Sequence, residues 1–292
     1  MQEQNMESIV TYNTIIDACT RCGRMDQVPE VVEGMRRAHI RPNIITYSTM
    51  IKGHCQSGNI QEGFAILEKM RQETDLKPDE VMYNSMLDGC AQQCLVDEGL
   101  QLLDQMQAEG VRPSNFTLSV LVKLFSRARK LDRAFSVVRE LAAKYRIRPN
   151  VHVHANLIQA CISARQLNKA LGCLEQMVQD GVQPNERTYA ILLRAFLAGG
   201  QHETVVGLLR AALGLEGALP ALARCGSTAA CHLDGMIVNQ MLSGLADGRQ
   251  PGLASELFSQ IRDRRPQLRI AAATQAKVVG AGGGGGSAPA AA

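Results

Sequence analysis

The sequence predicts an all-α fold, a right-handed α-solenoid of helix-turn-helix repeats. Three observations lead to this prediction. A Pro followed by a small polar residue recurs at intervals of 36, 35, 36 and 35 residues, at Pro42, Pro78, Pro113, Pro149 and Pro184. Each interval contains two segments whose apolar residues have helical spacing. Apolar residues make up 46% of the chain but aromatic residues only 4%, with no Trp, which disfavours a β-sandwich or barrel.

The first segment of each repeat predicts a helix with one buried face. Its apolar residues follow the i, i+3, i+4, i+7 pattern, in the first repeat at Tyr12, Ile15, Ile16 and Cys19. The second segment repeats this pattern, and small residues near its start let the two helices approach closely: Gly63, Gly99, Ala134 and Ala170. The Pro then ends the repeat, since it cannot continue the preceding helix.

These patterns divide the chain into five parts. Residues 1–8 are an N-terminal flank, and residues 9–213 form six hairpins, at 9–43, 44–79, 80–114, 115–150, 151–185 and 186–213. An irregular Gly- and Ala-rich insertion occupies 214–233, and a degenerate hairpin follows at 234–267. Residues 268–292 form a C-terminal extension, whose low-complexity tail from Gly280 we expect to be disordered.

The charge and the N-terminus exclude several classes of protein. The net charge of +3 comes from interspersed residues of both signs, so composition alone does not indicate a nucleic-acid partner. The N-terminal MQEQNMES resembles neither a signal peptide nor a transit peptide. No apolar stretch reaches the length of a membrane span, so we expect no membrane partner. The odd number of cysteines and the lack of a secretion signal predict reduced thiols.

The nine cysteines indicate packing rather than chemistry. Cys19, Cys90 and Cys161 occupy the same position of their repeats, on the predicted buried face, and would act there as small apolar residues. Cys225 with Cys231-His232, in the insertion, leaves a metal site open as an alternative, but we predict no metal and no cofactor. No catalytic or phosphate-loop motif is present, so we predict neither enzymatic activity nor a small-molecule substrate.

Two families of helical repeat share this plan. Tetratricopeptide repeats run 34 residues and carry a conspicuous Trp, which this chain lacks. The Thr-Tyr-Asn-Thr run at residues 11–14, the period of 35 to 36 residues and the terminal Pro-Asn or Pro-Asp resemble the pentatricopeptide repeat of the P type. The resemblance covers residues 9–213 well and 234–267 poorly. It implies binding of single-stranded RNA, one base per repeat, in a mitochondrion or plastid.

The residues themselves predict a polar row beside the buried face. The fifth, ninth and thirteenth residues of each repeat lie one above the other on the first helix, in the first repeat Asn13, Asp17 and Arg21. The resemblance implies that the fifth residue and the last residue of a repeat read one base together. The implied pairs are Asn13 with Asn43, Ser48 with Asp79, Asn84 with Ser114, and Ser119 with Asn150. They imply a preference for the sequence C-G-C-A.

The resemblance also implies that an apolar second residue sandwiches the bases. Val10, Ile45, Val81 and Phe116 fit this role, whereas His152 and Arg187 depart from it. Ala155 and Ala190 stand in place of the fifth residue, so we expect little discrimination in the fifth and sixth repeats. Candidate phosphate contacts on the same surface are Lys52, Lys123, Arg127 and Arg194. Asp17 and Asp88 would oppose them.

Two other functions stay open alongside sequence-selective RNA binding in transcript processing, stability or translation. The groove could hold a peptide, as in other helical-repeat scaffolds. The repeats could also be the recognition arm of an RNA-processing enzyme, or recruit a processing protein. Weakening of RNA binding by salt would separate the first function from the peptide groove.

Overall fold

The chain folds into a succession of helix pairs. The structure, a computed structural model, describes residues 2–223, 230–248 and 251–282, with side chains from residue 9 to 281 within these ranges. The described residues contain sixteen α-helices, one 3-10 helix and no strand, which confirms the predicted all-α class. They divide into two compact units, residues 1–149 and 150–292.

The first unit contains four helical hairpins. Their helices are α1 (Gln2–Arg21) with α2 (Val28–Arg37), α3 (Ile44–Gln56) with α4 (Ile60–Glu73), α5 (Glu80–Gln93) with α6 (Val96–Ala108), and α7 (Asn115–Arg127) with α8 (Leu131–Tyr145). A 3-10 turn, Met25–Gln27, precedes α2. The first helices α1, α3, α5 and α7 pack on one another in that order, so their exposed sides form one continuous face within the unit.

The second unit continues the pattern and then departs from it. It contains α9 (Val151–Ser163), α10 (Leu167–Gln179), α11 (Glu186–Ala198), α12 (His202–Leu213), α13 (Pro220–Ala223), α14 (Gly235–Ala246), α15 (Pro251–Arg264) and α16 (Ala272–Gly282). Helices α9 to α12 form two hairpins, and α14 with α15 a third. Helix α16 packs on both α14 and α15.

Side-chain caps fix where the first helices begin. The residue after each repeat-ending Pro is the N-cap of the next first helix: Asn43 accepts a hydrogen bond from Thr46 N–H, Asp79 from Met82 N–H, Ser114 from Phe116 N–H, Asn150 from His152 and Val153 N–H, and Asn185 from Thr188 N–H. Such caps satisfy backbone donors that the helix itself leaves unpaired. The Pro keeps the preceding residue extended, so the helix cannot begin earlier.

The turn inside each hairpin has a left-handed residue at its fifteenth position. Gly23, Gly58 and Gly200 supply this conformation without steric cost, but three hairpins use Cys94, Arg129 and Arg165 instead, with φ between 57° and 59°. A left-handed non-glycine residue costs free energy because its Cβ crowds the backbone. The turn geometry is therefore imposed by helix packing and not by residue choice alone.

Within each unit, the core lies between the helices of each hairpin and between neighbouring hairpins. Tyr83, Tyr189, Phe125 and Phe196 are among its largest fully buried side chains. Small residues of the second helices permit close packing: a Cβ at Gly63 would lie 3.3 Å from Cys55 Sγ in the same hairpin, and one at Gly99 would lie 2.6 Å from Leu124 Cδ2 of the next hairpin. The buried Cys19, Cys90 and Cys161 confirm that these cysteines belong to the core.

Several boundaries differ from those expected. Helix α1 begins at Gln2, inside the predicted flank, and α13 lies inside the predicted irregular insertion. Gly280 belongs to α16, so the expectation of a disordered tail was wrong for residues 280–282. Packing against α14 and α15 stabilises this Gly-containing helix. Residues 283–292 lie outside the described residues.

One residue predicted for the buried face is exposed. Ile15, in α1, has 42% of its surface accessible. The equivalent residues of later hairpins, such as Met86 and Leu121, are fully buried. No helix in the described part of the chain has the length and apolar character needed to cross a membrane.

Candidate nucleic-acid interface

An exposed apolar row marks one face of the first unit. The second residues of its four repeats are accessible over more than half of their surface: Val10 at 60%, Ile45 at 57%, Val81 at 56% and Phe116 at 59%. Burying such a side chain would stabilise the fold by roughly 1.5–3 kcal/mol. Four unburied apolar side chains at one repeat position therefore indicate a surface available to a flat apolar ligand.

The same position is exposed and apolar in α14, which sequence reasoning missed. Met236 is the second residue of this helix and is 71% accessible. It stands three residues before Asn239, as Val10 stands three before Asn13. The spacing was visible in the sequence, but the irregular insertion before α14 removes the Pro that marks the other repeats.

The fifth residues lie deeper than the open row that the sequence predicted. Asn13 and Ser48 are half-buried, whereas Asn84 is only 5% exposed and Ser119 only 8%. The first turn of α7 covers Asn84: Thr117 donates a hydrogen bond to Asn84 Oδ1 at 2.9 Å. The expectation that these residues line the open surface was wrong for Asn84 and Ser119.

Asn84 nevertheless lines a cavity that is open to the apolar row. The cavity has a volume of about 460 Å³ and lies among α3, α5 and α7. Val81 and Phe116, both from the apolar row, line it together with Asn84. Lys52, Gln56, Asp88 and Gln92, from the ninth and thirteenth positions, also line it. Apolar side chains beside convergent polar groups are typical of a small-ligand subsite.

In the first repeat, the capping role of the last residue places it beside the fifth residue. Asn13 Nδ2 donates a hydrogen bond to Asn43 Oδ1 at 3.3 Å, so the first predicted pair is in direct contact. Asp79 uses Oδ1 to accept from Met82 N–H at 2.9 Å. Its other carboxylate oxygen has no hydrogen bond to the described residues and can accept one from a ligand.

The four candidate phosphate contacts differ in availability. Lys52 and Arg194 are exposed and pair with no carboxylate among the described residues. Lys123 lies 3.5 Å from Asp88 and Arg127 donates to the Ala91 carbonyl at 3.1 Å, so both are partly engaged. The pairing also reduces the repulsion expected from Asp88.

Asp17, which we expected to oppose phosphate, is likewise paired. Arg21, at the thirteenth position of the same repeat, lies 2.7 Å from its carboxylate. The ninth-position acids are thus neutralised by neighbouring cations, and the polar row is less repulsive to an anion than the sequence implied.

Charge is distributed unevenly among the repeats. Residues 115–150 hold nine Lys or Arg and two Asp or Glu, a net charge of +7, whereas residues 80–114 hold one and six, a net charge of −5. The exposed cations of the positive repeat include Arg129, Lys130 and Arg133 around the α7–α8 turn. The overall +3 therefore conceals a strongly basic hairpin.

The second unit offers a weaker version of this surface. Ala155 and Ala190 occupy the fifth positions of α9 and α11 and are each 8% exposed, and His152 and Arg187 are exposed at the second positions. In α14, Asn239 Oδ1 accepts from Ala271 N–H at 2.8 Å, so its oxygen is already used.

The metal site considered at Cys225, Cys231 and His232 is only partly described by the structure. No group of three or more metal-ligating side chains is found among the described residues. Cys225 lies outside them, so only Cys231 and His232 of the suggested cluster are described. Burial, together with the nearby Glu186 carboxylate, raises the pKa of the Cys231 thiol to about 12.

Comparison with known sequences gives the same repeat family along most of the chain. A model described as the pentacotripeptide-repeat region of PRORP matches residues 91–213. A PPR repeat family model matches residues 7–56 and 42–81, and a PPR repeat model matches 74–107. Together they cover residues 7–213 without a gap.

Two relatives from Arabidopsis thaliana are pentatricopeptide repeat-containing proteins. A chloroplastic one is 27% identical over 183 residues, which is 63% of this chain and 24% of that protein. A mitochondrial one is 28% identical over 204 residues, covering 69% and 41%. The chain thus spans about a quarter to two fifths of these relatives.

Solved structures agree on the fold. The crystal structure of the maize pentatricopeptide repeat protein PPR10 aligns with a TM-score of 0.62 at 20% identity, over 94% of this chain and 42% of that one. Its complex with an 18-nt psaJ RNA element gives 0.55 at 18% identity, over 94% and 41%. This likeness confirms the predicted solenoid class. With the family models and the repeat geometry, it shows that the chain belongs to the pentatricopeptide-repeat family.

Proposed function

We propose that this chain binds single-stranded RNA along the exposed face of its first helices, one nucleotide per repeat. The observation that supports this most directly is the exposed apolar row beside the recessed fifth residues. A base can slide between consecutive apolar side chains, and its edge then meets the fifth and last residues. The RNA-bound maize relative supports the same ligand class.

The proposed preference is C-G-C-A over the first four repeats, from the pairs Asn13 and Asn43, Ser48 and Asp79, Asn84 and Ser114, and Ser119 and Asn150. The guanine assignment has the clearest chemistry. The spare carboxylate oxygen of Asp79 can accept from N1–H and N2–H of guanine, whereas adenine has an acceptor at N1 and no amino group at C2. The fifth and sixth repeats, with Ala155 and Ala190, contribute stacking or backbone contacts without discrimination.

The cellular role that fits is occupation of an organellar transcript, in a mitochondrion or plastid as for the named relatives. Bound RNA would be shielded from nucleases, held unfolded or presented to a processing protein. The chain itself would not turn over the RNA. The chain covers only 24% of the chloroplastic relative, so the role proposed is that of this chain alone.

The decisive experiment is Asp79→Asn. Asn still caps α5, as Asn43 and Asn150 cap their helices, so the fold should be kept. We expect the second-base preference to move from G towards A, measured by binding of RNAs that differ only at that base. Asp97→Asn, an equal charge change at an exposed site on α6, is the matched control and should leave the preference unchanged.

Affinity should also fall with salt, with a log–log slope of about −0.7 per phosphate contacted. An unchanged second-base preference in Asp79→Asn would remove the base code from this protein. Salt-insensitive binding without any RNA preference would instead favour a peptide in the groove.

A further inference from the structure

Two buried threonines connect the paired residues at the interface. Thr46 and Thr117 are the third residues of α3 and α7, and both are fully buried. Thr46 Oγ1 accepts from Asn43 N–H at 3.1 Å and donates to Asn13 Oδ1 at 2.7 Å. Thr117 Oγ1 accepts from Ser114 N–H at 3.1 Å and donates to Asn84 Oδ1 at 2.9 Å.

Each threonine hydroxyl accepts from a backbone N–H, which can only donate, and directs its own hydrogen at the asparagine amide oxygen. Because a hydroxyl can accept a second hydrogen bond, the orientation of each amide is decided by the partners of its nitrogen. The hydroxyl of Thr46 also lies 3.1 Å from Asn43 Oδ1, but the contact with Asn13 is the shorter one.

The hydrogen bonds donated by the two amide nitrogens indicate this orientation. Asn13 Nδ2 donates to Asn43 Oδ1, an oxygen that the cap of α3 requires as an acceptor. Asn84 Nδ2 donates to Glu80 Oε1 at 3.1 Å. An amide nitrogen carries two hydrogens, so each asparagine keeps one N–H to offer and has its oxygen engaged.

In the sequence, the fifth-position asparagines, unlike the fifth-position serines, are followed by a threonine in the next first helix. The fifth-position residues Asn13, Asn84 and Asn239 are each followed by a threonine at the third position of the next first helix, at Thr46, Thr117 and Thr274. The serines Ser48 and Ser119 are followed by Met82 and Val153. A serine hydroxyl rotates freely and needs no such partner to set its orientation.

We propose that Thr46 and Thr117 are positioning residues that make Asn13 and Asn84 donor-only readers. A donor suits the N3 acceptor of cytosine and opposes the N3–H of uracil, so the threonine sets the choice between these two pyrimidines. This inference rests on the proposed RNA-binding function and deepens it. Without the hydroxyl, the amide can turn its oxygen towards the base and accept from uracil.

The test uses Thr117→Val and Thr46→Val, each measured against RNAs with C or U at one position. The ratio of C to U affinity should fall about tenfold at the third base in Thr117→Val and at the first base in Thr46→Val. The ratio at the other position should stay as in the unmodified chain. Thr117→Ser keeps a hydroxyl and should restore the ratio.

Thr188→Val is the matched structural control. Thr188 is equally buried, but its hydroxyl donates to Asn185 Oδ1 at 2.9 Å, and the preceding fifth residue is Ala155. It should lose stability without changing either ratio. An unchanged ratio of C to U affinity in a folded Thr117→Val, or equal losses at both positions, would overturn the role of the threonines and leave the proposed RNA binding intact. A lack of C-over-U preference in the unmodified chain would overturn it together with base reading.

Discussion

Asn43 illustrates how residues at the interface combine two tasks. Its side chain caps α3 through Thr46 N–H and also receives a hydrogen bond from Asn13. Asp79 and Ser114 cap α5 and α7 in the same way. Because the cap fixes the side chain beside the following helix, the last residue of a repeat is preorganised before any ligand arrives, which lowers the entropy cost of binding.

The thiols provide a test of burial at the residue scale. Burial raises the pKa of Cys55 and of Cys90 to about 12, so neither forms a reactive thiolate near neutral pH. Cys22 and Cys94 are exposed. We expect an alkylating reagent at pH 8 to modify Cys22 and Cys94 in the folded chain and to reach Cys55 and Cys90 only after denaturation. Mass spectrometry of the labelled peptides checks this, and rapid labelling of Cys90 would contradict the packing.

A buried histidine predicts sensitivity to acid. His154 is buried in α9 and its Nε2 lacks a hydrogen bond within the described residues. Burial lowers its pKa, although Asp180, 3.8 Å away, raises it somewhat. The unfolded chain therefore binds more protons below about pH 6.5, so folding stability should decline as the pH falls from about 6.5 towards the lowered pKa.

His154→Tyr should flatten that decline, since tyrosine is the buried residue at the same repeat position in Tyr47, Tyr83 and Tyr189 and does not titrate there at acid pH. Thermal unfolding between pH 7 and 5 measures the slope. His152→Tyr, on the exposed side of the same helix, should behave like the unmodified chain. Equal slopes for all three proteins would show that His154 is not responsible.

At the scale of elements, the N-caps can be separated from base reading. Asn185 caps α11 but follows a repeat whose fifth residue is Ala155. Asn185→Ala should therefore cost about 1 kcal/mol of unfolding free energy and leave RNA selectivity unchanged. Urea denaturation measures the loss, and Asn185→Asp, which retains the cap, should be nearly neutral. A change in base preference would mean that this repeat also discriminates between bases.

Helix α16 shows how an array can continue beyond its recognisable repeats. Thr274 stands at its third position and is buried, as Thr46 and Thr117 are at theirs. Asn239 joins α14 to the segment before α16 through Ala271 N–H and the Arg269 carbonyl. Ile270 and Ala271 take the places of the usual Pro and Asn. Helix α16 therefore packs as a first helix does, although the Pro-Asn pair that identifies a first helix in the sequence is absent.

For the whole molecule, the concentration of charge in one hairpin matters more than the net charge. The net +7 of residues 115–150 should provide much of the attraction for phosphates. Replacing Arg129, Lys130 and Arg133 together by Gln should weaken RNA binding at low salt and reduce the salt slope. A matched control removes Arg24, Arg36 and Arg37 from the near-neutral first repeat, with the same change in net charge. Equal effects would show that only total charge counts.

The sequence by itself determined the class of fold and the period. Helical spacing and recurrent Pro placed the helix pairs, because burial of one helix face and the exclusion of Pro from helix interiors are local constraints. The second positions were also predictable, and Val10, Ile45, Val81 and Phe116 are exposed in the structure, as expected for residues available to stack on bases.

Only the tertiary structure decided the depth of the fifth residues and the orientation of their amides. Asn84 is buried because α7 packs over it, and Thr117, 33 residues away, holds its oxygen. Contacts between consecutive hairpins depend on how side chains meet across the stacking interface, which the spacing within one hairpin does not specify. The same reason applies to α16, whose stability comes from α14 and α15 and not from its own Gly-containing sequence.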